Sequence, residues 1–261
     1  MAVEFAAVSD VGRVRKINED SVLTADPVFA VADGMGGHAA GDVASALVVD
    51  ALAGLGGRDD LHPDDVLAAI ARANAAIVER GRLDAAVTGM GATLAGVCLG
   101  HVDGSPHWFV FNVGDARVYR FASAGLLQVT VDHSEVQELV DSGQLTPAQA
   151  RIHPARNIVT RSVGTDPAAP VDMWVVPAVP GDRYLICSDG LTGEVDDPEL
   201  AEVLRSSRTA SAAVDTLIER ALGEGARDNV SVVVIDFLAP AGDAPADVTA
   251  PRARLNGAHH A

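Results

Sequence analysis

Two neighbouring segments of the chain carry apolar residues at helical spacing. The first segment begins at residue 40, and its apolar positions share one helical face: Ala40, Val43, Ala44, Leu47, Val48, Ala51, Leu52 and Leu55. The second begins with Pro63 at its first helical position and with two aspartates in its first turn, which is a helix-start signal. The pattern therefore predicts two amphipathic helices joined by a loop over residues 54–60.

Other segments are short, apolar and bounded by glycine or polar residues, which is typical of strands. Such segments cover residues 5–9, 28–33, 93–99, 108–112, 117–121, 126–131, 171–176, 183–187 and 230–237. The four strands between residues 93 and 131 follow one another through short connections that contain glycine, so we expect them to form a meander. Two more helices are predicted near Pro198 and Thr209. Because strands and helices come in blocks, a mainly antiparallel sandwich is favoured over a doubly wound parallel sheet.

Residues 133–157 do not fit the sheet pattern. Val136, Leu139 and Val140 have helical spacing, and Thr146 opens a second helix with a capping-box sequence. We therefore expect two short helices that form a surface flap within a catalytic domain spanning residues 1–238. Residues 239–261 are rich in Ala, Pro, Gly and Asp and contain almost no large apolar side chain, so this tail is expected to be disordered.

Composition excludes some classes of protein. The formal net charge of −17 argues against a nucleic-acid partner, because binding to phosphate backbones requires clustered Lys and Arg. No apolar stretch reaches the length of a membrane helix, and the N-terminus lacks the basic and apolar regions of a signal peptide. Cys98 and Cys187 lie in apolar runs, which favours buried, reduced thiols over a disulfide. We expect a cytoplasmic monomer without a membrane anchor.

Four short acidic motifs are the main chemical signal in the chain. They are Asn18-Glu19-Asp20-Ser21, Asp33-Gly34-Met35-Gly36-Gly37, Ser188-Asp189-Gly190 and Arg227-Asp228-Asn229. Each places a carboxylate beside glycine or at the edge of an apolar run. A single Asp-Gly pair is usually a turn. Several together can supply the carboxylate and carbonyl oxygens that magnesium and manganese prefer, because glycine lets the backbone carbonyl turn toward a metal.

These motifs belong to a longer ordered series. The others are Ser9-Asp10-Val11-Gly12, Gly89-Met90-Gly91-Ala92-Thr93-Leu94, Asn112-Val113-Gly114-Asp115-Ala116-Arg117 and Thr130-Val131-Asp132-His133-Ser134. Over residues 5–237 the chain resembles bacterial metal-dependent serine/threonine protein phosphatases of the 2C type. The resemblance implies an α-β-β-α layered sandwich, in which two stacked, mainly antiparallel sheets each carry a helix pair on the outer face. It also implies that the flap lies beside the active-site cleft.

The resemblance assigns metal-binding roles to individual residues. It implies that Asp33 bridges two Mn²⁺ or Mg²⁺ ions, that the carbonyl of Gly34 binds one of them, and that Asp189 and Asp228 bind the other. Asp115 would hold a third, weaker ion.

Other acidic residues have implied roles around the ions. Glu19 and Asp20 would hold water molecules bound to them. Some relatives carry another acidic ligand shortly after the Ser-Asp-Gly aspartate. Gly193 stands at that position here and Glu194 follows it, so this ligand is not assigned.

A phosphatase also needs groups that bind phosphate and protonate the leaving oxygen. Arg15 is the candidate phosphate ligand, because a guanidinium matches phosphate oxygens and because it precedes Glu19 by four residues as in the family; Arg13 is the neighbouring alternative. Animal members have histidine directly after Asp-Gly, where this chain has Met35. His38 and His153 are the candidates for the proton donor, and each is equally explained as an ordinary exposed or capping histidine.

The implied reaction is hydrolysis of phosphoserine and phosphothreonine in proteins by a hydroxide that bridges two divalent cations, in opposition to serine/threonine kinases. A cysteine-dependent phosphatase would need arginine six positions after its cysteine, and Cys187 has Gly193 there. An aspartyl-phosphate enzyme would need Asp-x-Asp, which Asp189-Gly190-Leu191 lacks. The remaining alternative is a catalytically silent regulatory binding module, which should have lost metal ligands.

Overall fold

The computed structural model of the chain describes residues 2–36 and 40–238. In that part of the chain, two five-stranded sheets contain the strands β1 (Ala2–Asp10), β2 (Asp20–Ala25), β3 (Val28–Met35), β4 (Gly91–Val102), β5 (Ser105–Val113), β6 (Arg117–Ala122), β7 (Gly125–Gln128), β8 (Asp172–Pro177), β9 (Arg183–Cys187) and β10 (Val230–Leu238). The first sheet has the order β1-β10-β9-β6-β7, and the second has the order β2-β3-β4-β5-β8. Neighbouring strands are antiparallel throughout both sheets.

Helices cover the outer faces of the two sheets. The covering helices are α1 (Gly41–Ala53), α2 (Pro63–Leu83), α6 (Asp197–Ser206) and α7 (Ala210–Glu224), and the described residues also contain the short helices α3 (Glu135–Asp141), α4 (Pro147–Arg151) and α5 (Asp189–Thr192). The predicted starts of α2, α6 and α7 are confirmed and have local causes. Pro63 opens α2, while the side chains of Asp196 and Thr209 accept backbone N–H groups in the first turns of α6 and α7.

Three apolar clusters define the layers. One cluster joins α1 and α2 to the second sheet, another joins α6 and α7 to the first sheet, and the third lies between the two sheets. In the middle layer the Trp108 ring lies 5.2 Å from the ring of Tyr184 and 5.9 Å from that of Phe237. The α-β-β-α sandwich is therefore confirmed. Cys98 and Cys187 are buried and free, as their apolar surroundings predict.

The predicted meander is wrong at one connection. β4 pairs with β5, and β6 pairs with β7, but β5 and β6 belong to different sheets. The chain crosses between the sheets at residues 114–116, where Gly114 adopts a φ of +111° that favours glycine. Strand β5 is apolar and buried over residues 108–111, so its pattern does not indicate which sheet it joins. Strand β2 was not predicted, and β7 ends at Gln128 rather than at residue 131.

Residues 133–157 contain the two short helices α3 and α4. The Ser134 hydroxyl accepts the N–H of Gln137, and Thr146 forms a reciprocal capping box with Gln149. A β-bridge between Ser134 and Val159 joins the two ends of the segment. The tail at residues 239–261 lies outside the described residues.

Candidate functional site

Register within the second sheet sets three side chains of the site in a row. Asp20 on β2 is directly opposite Asp33 on β3, and Asp33 is directly opposite Thr93 on β4. Directly opposed residues in an antiparallel sheet project to the same face. The hydroxyl of Ser188 reaches across from the first sheet and donates to Oδ2 of Asp20 at 2.8 Å. Asp20 is thus held beside Asp33 and beneath the surface.

The other acidic residues come from chain segments at the ends of first-sheet strands. Asp115 lies in the crossover that precedes β6, Asp189 is the first residue of α5 and lies two residues after the end of β9, and Asp228 lies two residues before β10. A cleft of about 250 Å³ gathers these side chains with those from the second sheet. The predicted site residues that line it are Arg15, Glu19, Asp33, Gly34, Asp115, Asp189 and Asp228.

Two glycines allow the segments to approach this closely. A Cβ atom on Gly34 would lie 2.0 Å from the carbonyl oxygen of Gly41, and a Cβ atom on Gly190 would lie 1.9 Å from that of Asn229. Both clashes are with backbone, which cannot move aside as a flexible side chain would. The glycine after each aspartate is therefore required by packing as well as by any role of its carbonyl.

Burial and mutual repulsion perturb the carboxyl groups of the cleft. Burial, followed by the charge of Asp189, raises the pKa of Asp115 to about 8. Burial raises the pKa of Asp20 to about 6, and burial together with the charge of Asp20 raises the pKa of Asp33 well above its usual range. The pKa of Asp189 is also raised, first by burial and then by Asp228. The site concentrates negative charge that a cation would stabilise.

The donor set fits hard divalent cations. The lining acids offer oxygen atoms, and Oδ1 of Asp20 and Oγ1 of Thr93 are buried without a hydrogen-bond partner among the described residues. Within that part of the chain, no three acidic, His or Cys side chains form a complete cage around one point. The carboxylate of Asp228 is already hydrogen-bonded: its Oδ2 accepts from Arg15 at 2.7 Å, and its Oδ1 accepts the N–H of Asn229 at 2.9 Å. A cation would have to compete with Arg15 for this carboxylate.

Asn229 holds the loop that carries Arg15. Its Nδ2 donates to the carbonyl oxygens of Val11 at 2.9 Å and Ile17 at 3.0 Å, and its Oδ1 accepts the N–H of Glu19. Three hydrogen bonds from one side chain fix both ends of this loop relative to Asp228. Oε1 of Glu19 in turn accepts the N–H of Gly41 at the start of α1.

A buried histidine supports the Asp115 segment, and the sequence analysis had assigned it no role. Nδ1 of His133 accepts the N–H of Gly114 at 3.0 Å, and the His133 N–H donates to the carbonyl of Gly114 at 2.8 Å. Its Nε2 lies 3.2 Å from Oδ2 of Asp172, and the other carboxylate oxygen of Asp172 accepts from Arg161. The Asp132-His133-Ser134 motif was visible in the sequence, but nothing local indicated that it would contact Gly114.

The remaining candidates lie elsewhere. Glu194 binds Arg227 through both carboxylate oxygens, at 2.9 and 2.8 Å, and does not line the cleft. Nδ1 of His153 accepts the N–H of Ala155, a local contact that matches the capping interpretation. His38 lies outside the described residues, and so do any contacts between its imidazole and the cleft.

Comparisons with known proteins agree with this architecture. A family model described as Protein phosphatase 2C matches residues 16–231. The serine/threonine protein phosphatase PstP of Mycobacterium tuberculosis is 42% identical over 243 residues, which cover 91% of this chain and 46% of that protein. The serine/threonine phosphatase stp of Listeria monocytogenes is 36% identical over 247 residues, which cover 90% of this chain and 96% of that protein.

Solved structures give the same result. The crystal structure of the catalytic domain of PstP in complex with two manganese ions superimposes with a TM-score of 0.83 at 38% identity. The match covers 91% of this chain and 99% of that one. This chain thus spans about half the length of the mycobacterial relative and nearly all of its crystallised catalytic domain. Among the described residues, no helix combines the length and apolarity needed to cross a membrane.

Proposed function

The chain belongs to the protein phosphatase 2C family, and from that premise we propose that it hydrolyses phosphoserine and phosphothreonine in proteins with the help of bound Mn²⁺ or Mg²⁺. The observation that carries the proposal is the cleft in which both sheets place carboxylates beside one arginine. A silent binding module would not need to keep this charge-dense arrangement, because uncompensated acidic groups destabilise a folded chain. This chain spans 46% of the mycobacterial relative. The activity of a longer protein that contains this chain is therefore also a proposal.

We assign the ion-binding roles as follows. Asp33 would help to hold both of two tight ions, with the carbonyl of Gly34 serving one and Asp189 and Asp228 serving the other. Two manganese ions in the catalytic domain of PstP support the number of ions. When bound, the ions would activate a water molecule for attack and neutralise charge on the phosphoryl oxygens.

Three further acidic residues, Asp115, Glu19 and Asp20, would act around the two tight ions. Asp115 is proposed to hold a third and weaker ion, for which the protein offers few oxygen ligands. Glu19 and Asp20 would accept hydrogen bonds from water molecules on the two tight ions. The Ser188 hydroxyl fixes the direction of the Asp20 carboxylate by donating to Oδ2, which leaves Oδ1 free for such a water.

Arg15 is the proposed phosphate ligand. Its guanidinium is half exposed at the mouth of the cleft and already binds one oxyanion, the carboxylate of Asp228. A phosphoryl group offers the same kind of acceptor with more negative charge. Arg15 would therefore move from Asp228 to the substrate and orient it for in-line attack. His38 stays the candidate for protonating the leaving oxygen.

The proposed substrates are phosphorylated proteins, including serine/threonine kinases and their targets, and the proposed working form is a monomer. Relatives named as serine/threonine phosphatases in two bacterial genera support this substrate class. Neither nucleic acid nor membrane is needed for the reaction at this cleft.

The test combines activity with metal binding. The purified chain should release phosphate from an aryl phosphate and from a phosphothreonine peptide when Mn²⁺ is present, and excess chelator should abolish both activities. Isothermal titration calorimetry should detect two tight Mn²⁺ ions in the native chain and a large loss of affinity in Asp33→Asn. Asp50→Asn, an exposed position on α1, removes the same charge away from the cleft and is the matched control. Full turnover in excess chelator would refute the proposal.

A further inference from the structure

A second depression adjoins the catalytic cleft. It has a volume of about 540 Å³ and lies between the flap helices α3 and α4 on one side and the body of the protein on the other. Asp115, Asn157 and Asp189 line both this depression and the catalytic cleft, so the two are continuous. We call it the flap groove. Its volume is in the range of small-ligand pockets, which leaves room for a few side chains rather than for a folded domain.

The flap side of the groove presents apolar surface. Val136 and Val140 of α3 line it, together with Pro147, Ala148 and Ala150 of α4. Pro147 and Ala148 are exposed, and α4 buries none of its own residues. Val136 is buried within the fold, so the uncovered apolar part of this surface among the described residues belongs to α4.

Polar groups on the body side have partners within the protein. The guanidinium of Arg117 binds both carboxylate oxygens of Asp132, at distances of 2.7 to 3.0 Å. The hydroxyl of Tyr119 donates to Asp197 at 3.1 Å, which gives this carboxylate a hydrogen bond but leaves its negative charge in place. The two shared acids, Asp115 and Asp189, face the cleft, where they are assigned to metal ions.

Two arginines on the flap side form no ion pair among the described residues. Most arginines in the described part of the chain form ion pairs, but none of those pairs involves Arg151 or Arg156. Both are exposed and both line the groove. In a chain with a net charge of −17, these are local positive charges, and at physiological salt they act over roughly 8 Å.

We propose that the flap groove binds the segment of the substrate protein that adjoins the phosphorylated residue, with an acidic side chain at Arg151 and Arg156 and an apolar side chain against α4. This inference rests on the proposed function, because the groove selects a substrate only if the adjoining cleft binds its phosphate. Opposite charges at the rim favour the acidic segment, and continuity with the cleft places it next to the phosphorylated residue. The groove thus makes this chain selective for phosphorylation sites in acidic sequence.

The test uses synthetic phosphothreonine peptides that differ only in their flanks. One peptide has alanine on both sides, two have three aspartates on the N-terminal or C-terminal side, and two have three lysines instead. With Mn²⁺ and low salt, kcat/KM should be at least about fivefold higher for one of the aspartate peptides than for the alanine peptide, mainly through KM. High salt should remove the preference, because the charges at the rim are exposed.

Charge reversal identifies the groove as the source of the preference. In Arg151→Glu/Arg156→Glu, the ratio of kcat/KM between aspartate and alanine peptides should fall to one or below, and the lysine peptides should become the better substrates. The control is Arg72→Glu/Arg208→Glu, which makes the same charge change at exposed arginines that form no ion pair in the described structure and lie outside the groove. It should keep the native preference.

Each other outcome has a definite meaning. Equal kcat/KM for all flanks in the native protein, or an aspartate preference that survives charge reversal in the groove, would overturn the inference. Loss of the preference in the control as well would also overturn it, since overall charge would then be the cause. If the native protein failed to hydrolyse even an aryl phosphate with Mn²⁺, the proposed function itself would fail.

Discussion

Replacing Arg15 with alanine should have opposite effects on metal and on phosphate. In the structure, its guanidinium binds Oδ2 of Asp228 at 2.7 Å, and Asp228 is one of the proposed metal ligands. Removing Arg15 frees this carboxylate for a cation but takes away the proposed phosphate ligand. A residue that was only a surface charge would change neither property by much.

The magnitudes follow from exposure and charge. The side chains of Arg15 and Asp228 are 50% and 32% exposed, so their ion pair is worth only about 0.2–1 kcal/mol. Mn²⁺ should therefore bind Arg15→Ala about 1.4- to 5-fold more tightly than it binds the native chain, because about 0.2–1 kcal/mol corresponds to these factors when RT is about 0.59 kcal/mol. Loss of charged hydrogen bonds to phosphate costs about 1.5–3 kcal/mol, which corresponds to an increase in KM of at least about tenfold. We expect kcat to be partly retained.

Calorimetric titration with Mn²⁺ measures the first effect, and steady-state kinetics with an aryl phosphate measures the second. Lys16→Ala is the matched control, because it removes the same charge from the adjacent exposed position, and it should change neither quantity by more than about twofold. Weaker Mn²⁺ binding in Arg15→Ala would show that Arg15 supports the metal site rather than competing with it. An unchanged KM would show that Arg15 does not bind phosphate.

Three further predictions concern the Asp115 side of the cleft. Asp115→Asn should keep the fold and the two tight ions but lower kcat by at least about tenfold, which corresponds to about 1.4 kcal/mol. A titration of kcat with Mn²⁺ measures this effect, and a thermal melt checks the fold. A native kcat at every Mn²⁺ concentration would contradict the prediction. The pKa values of Asp20 and Asp115 are raised to about 6 and about 8, so these groups bind protons more tightly in the folded state than in the unfolded state. The free energy of unfolding of the metal-free protein should therefore fall as the pH rises toward about 8. Melts across this pH range should show a smaller decline for Asp115→Asn, and an identical decline would contradict the assignment to Asp115. His133→Ala removes the acceptor for the buried N–H of Gly114, which should cost about 1–3 kcal/mol, or about 2–4 °C in Tm for each kcal/mol, and an unchanged Tm would contradict this role.

Local features of the chain predicted much of the secondary structure. The starts of α2, α6 and α7 depend on a proline or a capping side chain within a few residues, so they can be identified without knowledge of the fold. The motifs around Asp33 and Asp189 are equally local, because a glycine after an aspartate can be recognised wherever it occurs. Their order along the chain indicated the family and hence the layered architecture.

The sequence alone did not determine which segments meet. Strand β5 is apolar on both faces over residues 108–111, while β6 carries Arg117 and Arg120, and neither pattern reports which strand lies alongside. The prediction that they pair was therefore wrong, although each strand was correctly located. Strand β2 was missed because it is short and opens with polar residues whose burial depends on the neighbouring β3.

The contacts that shape the site are also tertiary. Arg15 binds Asp228, and His133 accepts a hydrogen bond from Gly114. The flap groove lies beside the cleft because the crossover between the sheets places Asp115 in the lining of both. These partners are distant in the chain, and a hydrogen bond or ion pair depends on distances of a few ångströms that no local pattern encodes. The sequence by itself determined which residue types are available for chemistry, and the packing of two sheets decided which of them act together.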